Sequence, residues 1–136
     1  MMRNEGCDRR RFERIETRRL IKMFDVDKHE FYGVILNISQ KGLKITSKTV
    51  LLPHSYCEFE FKLNSNRNIT GVGQVVYAIP KSPLLKKTSY YYGIRFLDID
   101  FDNLREISNF IQQTKYLEAT IYSRLSKNNL SYMSQL

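Results

Sequence analysis

The stretch Glu30–Thr46, which reads EFYGVILNISQKGLKIT, contains two strand patterns separated by a turn. Its first nine residues are rich in aromatic and β-branched side chains, which favour extended strands. Ser39 to Gly42 have the composition of a tight turn, and Gly42 can take the positive φ that a tight reversal often needs without steric cost. Leu43–Thr46 then resumes the strand pattern. The stretch therefore predicts a β-hairpin.

Strand patterns continue on both sides of this hairpin. Residues 56–63, YCEFEFKL, alternate with the period of two that is typical of a half-buried strand, and their apolar face contains Cys57, Phe59, Phe61 and Leu63. Three further segments have a strand-like composition: residues 17–25, 69–79 and 89–97. Six short strands at close spacing, without alternating helices, predict an antiparallel barrel or sandwich.

The hydrophobic period changes near residue 104. Apolar residues then recur at intervals that fit an amphipathic helix: Leu104, Ile107, Phe110, Ile111, Leu117, Ile121 and Leu125. The spacing predicts a helix over residues 103–126, with its N-cap among Asp100, Asp102 and Asn103. Asn128-Asn129 is expected to end it, which leaves residues 127–136 as a short C-terminal tail. The predicted fold class is mainly β, with one helix after the strands.

Length and composition limit the class of protein. The chain has 136 residues, enough for one domain, and 42% of them are hydrophobic, as in a folded protein. No apolar run approaches the roughly 18 residues that span a bilayer, and no signal peptide is recognisable. The two cysteines, Cys7 and Cys57, form neither a disulfide framework nor a metal site. We therefore expect a cytoplasmic protein with reduced thiols and no metal.

The positive charge is concentrated at the N-terminus. The formal net charge is +8, and residues 1–22, with eight basic and four acidic side chains, account for half of it. A basic arm indicates a polyanionic partner, such as a nucleic acid, an acidic membrane surface or a phosphorylated small ligand. A solvated arm that only aids solubility fits the charge equally well, so charge alone does not choose between them.

The first motif that carries binding chemistry lies in this arm. Arg10 and Arg14 are separated by three residues, and Arg9 precedes them. Guanidinium groups are planar, permanently charged and fork-shaped. This geometry suits paired contacts to phosphate oxygens or to the O6/N7 edge of guanine.

The second motif lies at the hairpin turn, where Asn37, Ser39 and Gly42 have the spacing Asn-x-Ser-x-x-Gly. Asn37 and Ser39 alternate onto one side of the strand, and amide and hydroxyl groups both donate and accept hydrogen bonds. Arg-x-x-x-Arg in a basic arm, followed by [Asp/Asn]-x-Ser-x-x-Gly, resembles the PilZ domain family. The resemblance covers roughly residues 8–118 and includes the Tyr92–Phe96 strand before the helix.

This resemblance implies a six-stranded antiparallel β-barrel flanked by a helix, and binding of cyclic di-GMP, the ligand of many members. Arg10 and Arg14 would bind the guanine edges and phosphates from a flexible arm. Asn37, Ser39 and Gly42 would hold the ligand against the barrel. The arm would close over the ligand on binding. No cofactor beyond this ligand is implied.

Two details of the motifs refine the expectation. In the family, an arginine at the position of Arg9 tends to accompany a stacked pair of cyclic di-GMP molecules, so two molecules per chain are expected. Many members have Asp where this chain has Asn37. An amide offers the guanine N–H groups one oxygen and no charge, so binding is expected to be weaker by about 1 kcal/mol.

The predicted organisation is a basic ligand-binding arm over residues 1–16, a barrel with its helix over 17–126, and a tail over 127–136. We expect a stand-alone receptor rather than an enzyme, because no paired catalytic acid and base, nucleophile or metal set emerges. Closure of the arm would then change the affinity of this receptor for a separate, unidentified protein partner.

Two other functions remain open at this point. A PilZ-like domain that has lost its ligand would act purely as a protein-interaction adaptor, and a small nucleic-acid-binding barrel would use the arm and aromatic faces. The helix stripe Leu117, Ile121 and Leu125 predicts a homodimer or a docking face for a partner. Arg95 is expected to face solvent or to pair with Asp98, and it is not assigned to the ligand.

Overall fold

The computed structural model describes residues 13–82 and 89–134, with side chains through residue 127. Arg9, Arg10 and the rest of the arm before residue 13 lie outside the described residues. The elements in chain order are β1 (Ile15–Phe24), β2 (Glu30–Ile38), β3 (Gly42–Ser47), β4 (Tyr56–Lys62), β5 (Asn68–Pro80), β6 (Tyr90–Ile99) and α1 (Phe101–Ser134). The six predicted strands are confirmed with small shifts at their ends, and β1 begins inside the segment predicted as arm.

The strands form a closed barrel. Every neighbouring pair is antiparallel, and the order around the barrel is β1-β2-β3-β6-β5-β4. β1 pairs with β2 on one side and with β4 on the other, so the sheet closes on itself. Of the two architectures that the pattern allowed, the barrel is confirmed.

Inward-facing apolar side chains fill this barrel. In β4, Cys57, Phe59 and Phe61 are buried while the residues between them are partly exposed, as the alternation predicts. Burial raises the pKa of the Cys57 thiol to about 11, which keeps it protonated at neutral pH. The most deeply buried side chains come from all six strands and include Ile21, Met23, Ile35, Ile45, Phe59, Ile69, Val75 and Tyr92.

The helix begins at one of the three predicted caps. Asp100 Oδ1 accepts the backbone N–H of Asn103 at 2.8 Å, so Asp100 is the N-cap. Asn103 is instead a buried link to the barrel. It donates from Nδ2 to Thr70 O at 3.2 Å and accepts from Arg67 Nε at 2.8 Å. These bonds fix the start of α1 against β5 and the turn before it.

The helix covers one end of the barrel and then leaves it. Ile107, Phe110 and Ile111 are buried in the common core. From residue 112 to residue 127 no side chain is buried. The first turns of α1 therefore belong to the barrel, and the later turns project beyond it.

The predicted end of the helix at Asn128-Asn129 is wrong. The helix continues through most of the predicted tail to Ser134, which makes it 34 residues and about 51 Å long. Asparagine lowers helix propensity by only a fraction of 1 kcal/mol. The segment 127–134 contains neither glycine nor proline, the residues that interrupt a helix most strongly.

Candidate functional site

A cleft on the outer surface of the barrel lies between the β2–β3 turn, β5 and β6. Its volume is about 180 Å³, and it opens to solvent. Four of the six residues predicted to bind ligand line it: Arg14, Asn37, Ser39 and Gly42. The other two, Arg9 and Arg10, lie outside the described residues. The fold therefore brings the end of the arm and the turn motif to the same surface.

Ser39 organises the turn at the base of this cleft. Its N–H donates to Gly42 O at 2.9 Å, and its Oγ accepts the N–H of Lys41 at 3.1 Å. Lys41 O in turn accepts the N–H of Phe96 at 2.9 Å, which ties the turn to the end of β6. Ser39 is buried, and a hydroxyl that accepts one hydrogen bond can still donate another.

Gly42 is needed for close packing rather than for an unusual backbone angle. No glycine in the described residues has a positive φ, so the turn does not use the backbone freedom of Gly42. Gly42 pairs with Arg95 across β3 and β6, and a Cβ at Gly42 would stand 2.0 Å from Ile94 O. The backbones of the two strands therefore approach each other too closely for any side chain at this position.

Two bulges flank the cleft. The register of β2 against β3 shifts between Ile35 and Asn37, and that of β5 against β6 shifts between Val75 and Tyr77. A bulge re-aims the side chains next to it. Asn37 lines the cleft from one side, and the neighbours Val76 and Tyr77 line it from the other.

The charged side chains that line the described part of the cleft are all basic: Arg14, Lys41, Lys44 and Arg95. Arg95 Nη2 donates to Gln74 Oε1 at 2.9 Å, and Gln74 Nε2 donates to His54 O at 3.3 Å. Arg95 is exposed, as one expectation had it, but its hydrogen-bond partner is Gln74 rather than Asp98. The cleft therefore suits an anionic ligand.

Sequence reasoning missed eight of the residues that line this cleft, and four of those have a charged or aromatic side chain: Lys41, Lys44, Tyr77 and Arg95. They come from the turn and from three different strands, and barrel closure brings them together. The pairing of Gly42 with Arg95 and of Tyr77 with Gly93 depends on strand register, which local patterns do not report.

Two other arginines of the basic N-terminal segment serve the fold. Arg18 Nη1 donates to Leu36 O at 3.0 Å on β2. Arg19 Nη2 donates to Asn64 Oδ1 at 2.7 Å, and its guanidinium lies 5.6 Å from the centre of the Phe110 ring. Two of the basic side chains in residues 1–22 are therefore engaged within the fold.

A separate polar cluster lies in the β1–β2 turn. Asp25, Asp27 and His29 have side-chain ligand atoms within 4.8 Å of one another. Asp25 Oδ1 accepts the backbone N–H groups of Asp27 and His29, each at 2.9 Å. The bond from the His29 backbone is the main reason that the pKa of Asp25 lies below its ordinary value. These hydrogen bonds stabilise the β1–β2 turn, and the turn explains why the three side chains lie close together.

Comparison with known proteins places this geometry in a family. The family model described as PilZ domain matches residues 8–113. A search of curated protein sequences returned no match. Among solved structures, the chain is similar to the PilZ domain with cyclic di-GMP of YcgR from Escherichia coli, at 14% identity and a TM-score of 0.66. The match covers 84% of this chain and 98% of that one.

Two longer proteins contain a similar barrel. MrkH of K. pneumonia in its apo state shares 23% identity with a TM-score of 0.67, covering 89% of this chain and 55% of that chain. The Bacillus subtilis inhibitor of motility MotI shares 13% identity with a TM-score of 0.65, covering 80% and 52%. The chain thus spans about half the length of these two relatives.

The family match includes the cleft and both motifs. Residues 8–113 run from the arm that holds Arg10 and Arg14, through the Asn37–Gly42 turn, to the first turns of α1. Over the described ranges, no helix combines the length and the apolar character that crossing a membrane requires. The six-stranded antiparallel barrel, its C-terminal helix and the matched family model agree. The chain belongs to the PilZ domain family.

Proposed function

We propose that the protein is a receptor for cyclic di-GMP, and that the ligand binds in the cleft beside the β2–β3 turn. The observation that carries this proposal is that Arg14 lines the same cleft as Asn37, Ser39 and Gly42. Family membership supports it, since the YcgR PilZ domain is described with cyclic di-GMP. The basic lining of the cleft suits a ligand that carries two phosphates.

Each proposed contact matches the chemistry of its side chain. Arg10 and Arg14 form charge-assisted, paired bonds to phosphate oxygens and guanine edges. Asn37 accepts a hydrogen bond from a guanine N–H, and Ser39 donates to the ligand from its hydroxyl. Arg95, held by Gln74, supplies a further cation near the phosphates. Arg9 is assigned to a second cyclic di-GMP molecule stacked on the first.

We further propose that closure of the arm transmits binding to a separate protein partner. Arg14 directly precedes β1, and its neighbour Glu13 pairs with Lys115 on α1. A ligand that draws Arg10 and Arg14 into the cleft would thus act on a segment in contact with the helix. The protein would work in the cytoplasm as a binding module, without a catalytic step.

Thermal unfolding tests the receptor proposal. Ligand at a hundredfold excess over its Kd adds about 2.7 kcal/mol to the free energy of unfolding, which is expected to raise Tm by several degrees. GTP and a short oligonucleotide at the same concentration serve as controls and are expected to leave Tm nearly unchanged. A shift with the oligonucleotide but not with cyclic di-GMP would favour a nucleic-acid-binding barrel instead.

Asn37→Asp is expected to increase cyclic di-GMP affinity about fivefold to tenfold. A carboxylate accepts two guanine N–H groups side by side with charge assistance, which contributes about 1 kcal/mol over an amide. The lysines and arginines that line the cleft favour the added negative charge. Isothermal titration measures the change, and Asn64→Asp, at an exposed turn position, is the matched control. Weaker binding by Asn37→Asp would argue against a guanine contact at this residue.

We also propose that the protein forms a homodimer through the projecting part of α1. Leu117, Ile121 and Leu125 are 57%, 56% and 55% exposed. A helix that lacks tertiary packing is marginally stable in water, and pairing with a second copy would bury this stripe. Replacing all three with Gln is expected to turn the dimer into a monomer in light scattering, with ligand affinity unchanged. Tyr116→Gln, on the opposite helix face, is the control, and a monomeric wild type would contradict the proposal.

A further inference from the structure

Tyr77 lies at the cleft in an orientation that a regular strand would not produce. Consecutive side chains of a strand point to opposite faces. The bulge between Val75 and Tyr77 breaks this alternation, and both Val76 and Tyr77 line the cleft. The distortion of β5 therefore directs a large aromatic side chain toward the surface where ligand binding is proposed.

Gly93 provides the space that the Tyr77 ring occupies. The two residues are partners across β5 and β6. A Cβ at Gly93 would stand 2.1 Å from Tyr77 Cε2 and 2.8 Å from Cζ. The ring thus lies against the α-carbon of the glycine, so a side chain at position 93 would push it away. Glycine at this position allows the ring to rest on the barrel wall.

The surroundings of Tyr77 match those of a base-stacking platform. It is the one aromatic side chain among the described residues that line the cleft, and it is partly exposed. Arg14 and Arg95 line the same cleft and can hold phosphates. A flat purine therefore finds an aromatic face next to cationic groups, which is the arrangement that holds single nucleotides on protein surfaces.

We propose that Tyr77, supported by Gly93, is the platform on which one guanine of cyclic di-GMP stacks. The inference rests on the proposed receptor function and adds the residue that holds a base by its face rather than by its edge. Asn37 and Arg14 lie at the same cleft and are available for the edge of the base and the phosphate. Tyr77 thus contributes affinity for a purine and little discrimination between purines.

Side-chain replacements separate stacking from simple packing. Tyr77→Phe keeps the ring and is expected to bind cyclic di-GMP within about twofold of wild type in isothermal titration. Tyr77→Leu keeps an apolar side chain without a ring and is expected to bind about tenfold more weakly, the scale of one lost base stack. Equal affinity of Tyr77→Leu and wild type would overturn the proposal, while the binding of the wild type would leave the receptor function intact.

Gly93→Ala tests whether the glycine acts through the ring. The added methyl displaces Tyr77, so a loss of affinity similar to that of Tyr77→Ala is expected. The double variant Gly93→Ala/Tyr77→Ala is then expected to bind no more weakly than Tyr77→Ala alone, because the two changes remove the same contact. Losses that multiply in the double variant would contradict this coupling. Unfolding midpoints of all three variants confirm that the barrel is intact.

A fluorescence measurement observes the contact directly. The chain contains no tryptophan, so Tyr77→Trp introduces a single reporter at the proposed platform. Stacking of guanine on the indole is expected to quench its emission saturably, at the ligand concentrations at which titration calorimetry saturates. Tyr116→Trp, on an exposed face of α1, is the control and is expected to show no quenching. Binding seen by calorimetry without quenching in Tyr77→Trp would overturn the stacking proposal alone.

Discussion

Replacing both arginines of the N-terminal motif, as Arg10→Ala/Arg14→Ala, is expected to weaken cyclic di-GMP binding about a thousandfold. A charge-assisted pair of bonds from one guanidinium contributes about 1–3 kcal/mol, and each 1.4 kcal/mol is a factor of ten. Isothermal titration measures the loss. The unfolding midpoint is expected to stay within about 1 °C of wild type, because Arg14 is an exposed residue before β1.

Two further variants show whether the arginines form paired, directional hydrogen bonds to the ligand or only contribute positive charge. Arg124→Ala removes the same charge from an exposed position on α1, outside the cleft, and is expected to leave affinity unchanged. Arg14→Lys keeps the charge but loses the planar fork, and is expected to bind about tenfold more weakly. If Arg124→Ala weakens binding as much as Arg14→Lys, the ligand is held by overall charge, and the proposed site is wrong.

Gly42→Ala is expected to destabilise the barrel by about 3 kcal/mol or more and to lower Tm by roughly 10 °C. The added Cβ would meet the carbonyl oxygen of Ile94 at 2.0 Å, and a strand backbone cannot move aside as a flexible side chain can. The β3–β6 pair must therefore separate at the base of the cleft. Chemical unfolding followed by circular dichroism measures the loss.

The neighbouring position Gln40 provides the control for this substitution. Gln40→Ala changes a partly exposed residue of the same turn and is expected to alter the free energy of unfolding by no more than about 0.5 kcal/mol. A Gly42→Ala variant as stable as wild type would mean that β3 and β6 lie farther apart than described. The same variant with normal stability but no ligand binding would give Gly42 a direct role toward the ligand.

Local patterns predicted the strands because burial imposes them. The alternation around Phe59 and Phe61 and the aromatic and β-branched content of residues 30–38 each follow from one face packing on a core. Ser39 was visible for a similar reason, since its Oγ accepts the N–H of Lys41 within the hairpin turn, whereas Gly42 is required by its close approach to β6. The family resemblance then joined this turn to Arg14, which no local pattern connects.

The remaining cleft residues depend on long-range geometry. Arg95 and Tyr77 reach the cleft only because β6 pairs with both β3 and β5, and because β5 bulges before Tyr77. A pairing register over such sequence distances has no local signal. The full length of α1 was missed because a local signal was present but misleading. Asn128-Asn129 resembled an end signal, but weak helix propensity alone does not stop a helix.

Isothermal titration of the unmodified protein with cyclic di-GMP is the decisive experiment on whether this PilZ domain is a receptor. We expect saturable binding with two ligand molecules per chain, and retention of that binding in the presence of a competing oligonucleotide. A stoichiometry of one would contradict the assignment of Arg9 to a second molecule and leave the receptor proposal in place. The absence of saturable binding would contradict the receptor proposal itself and would favour a PilZ domain that no longer binds the ligand.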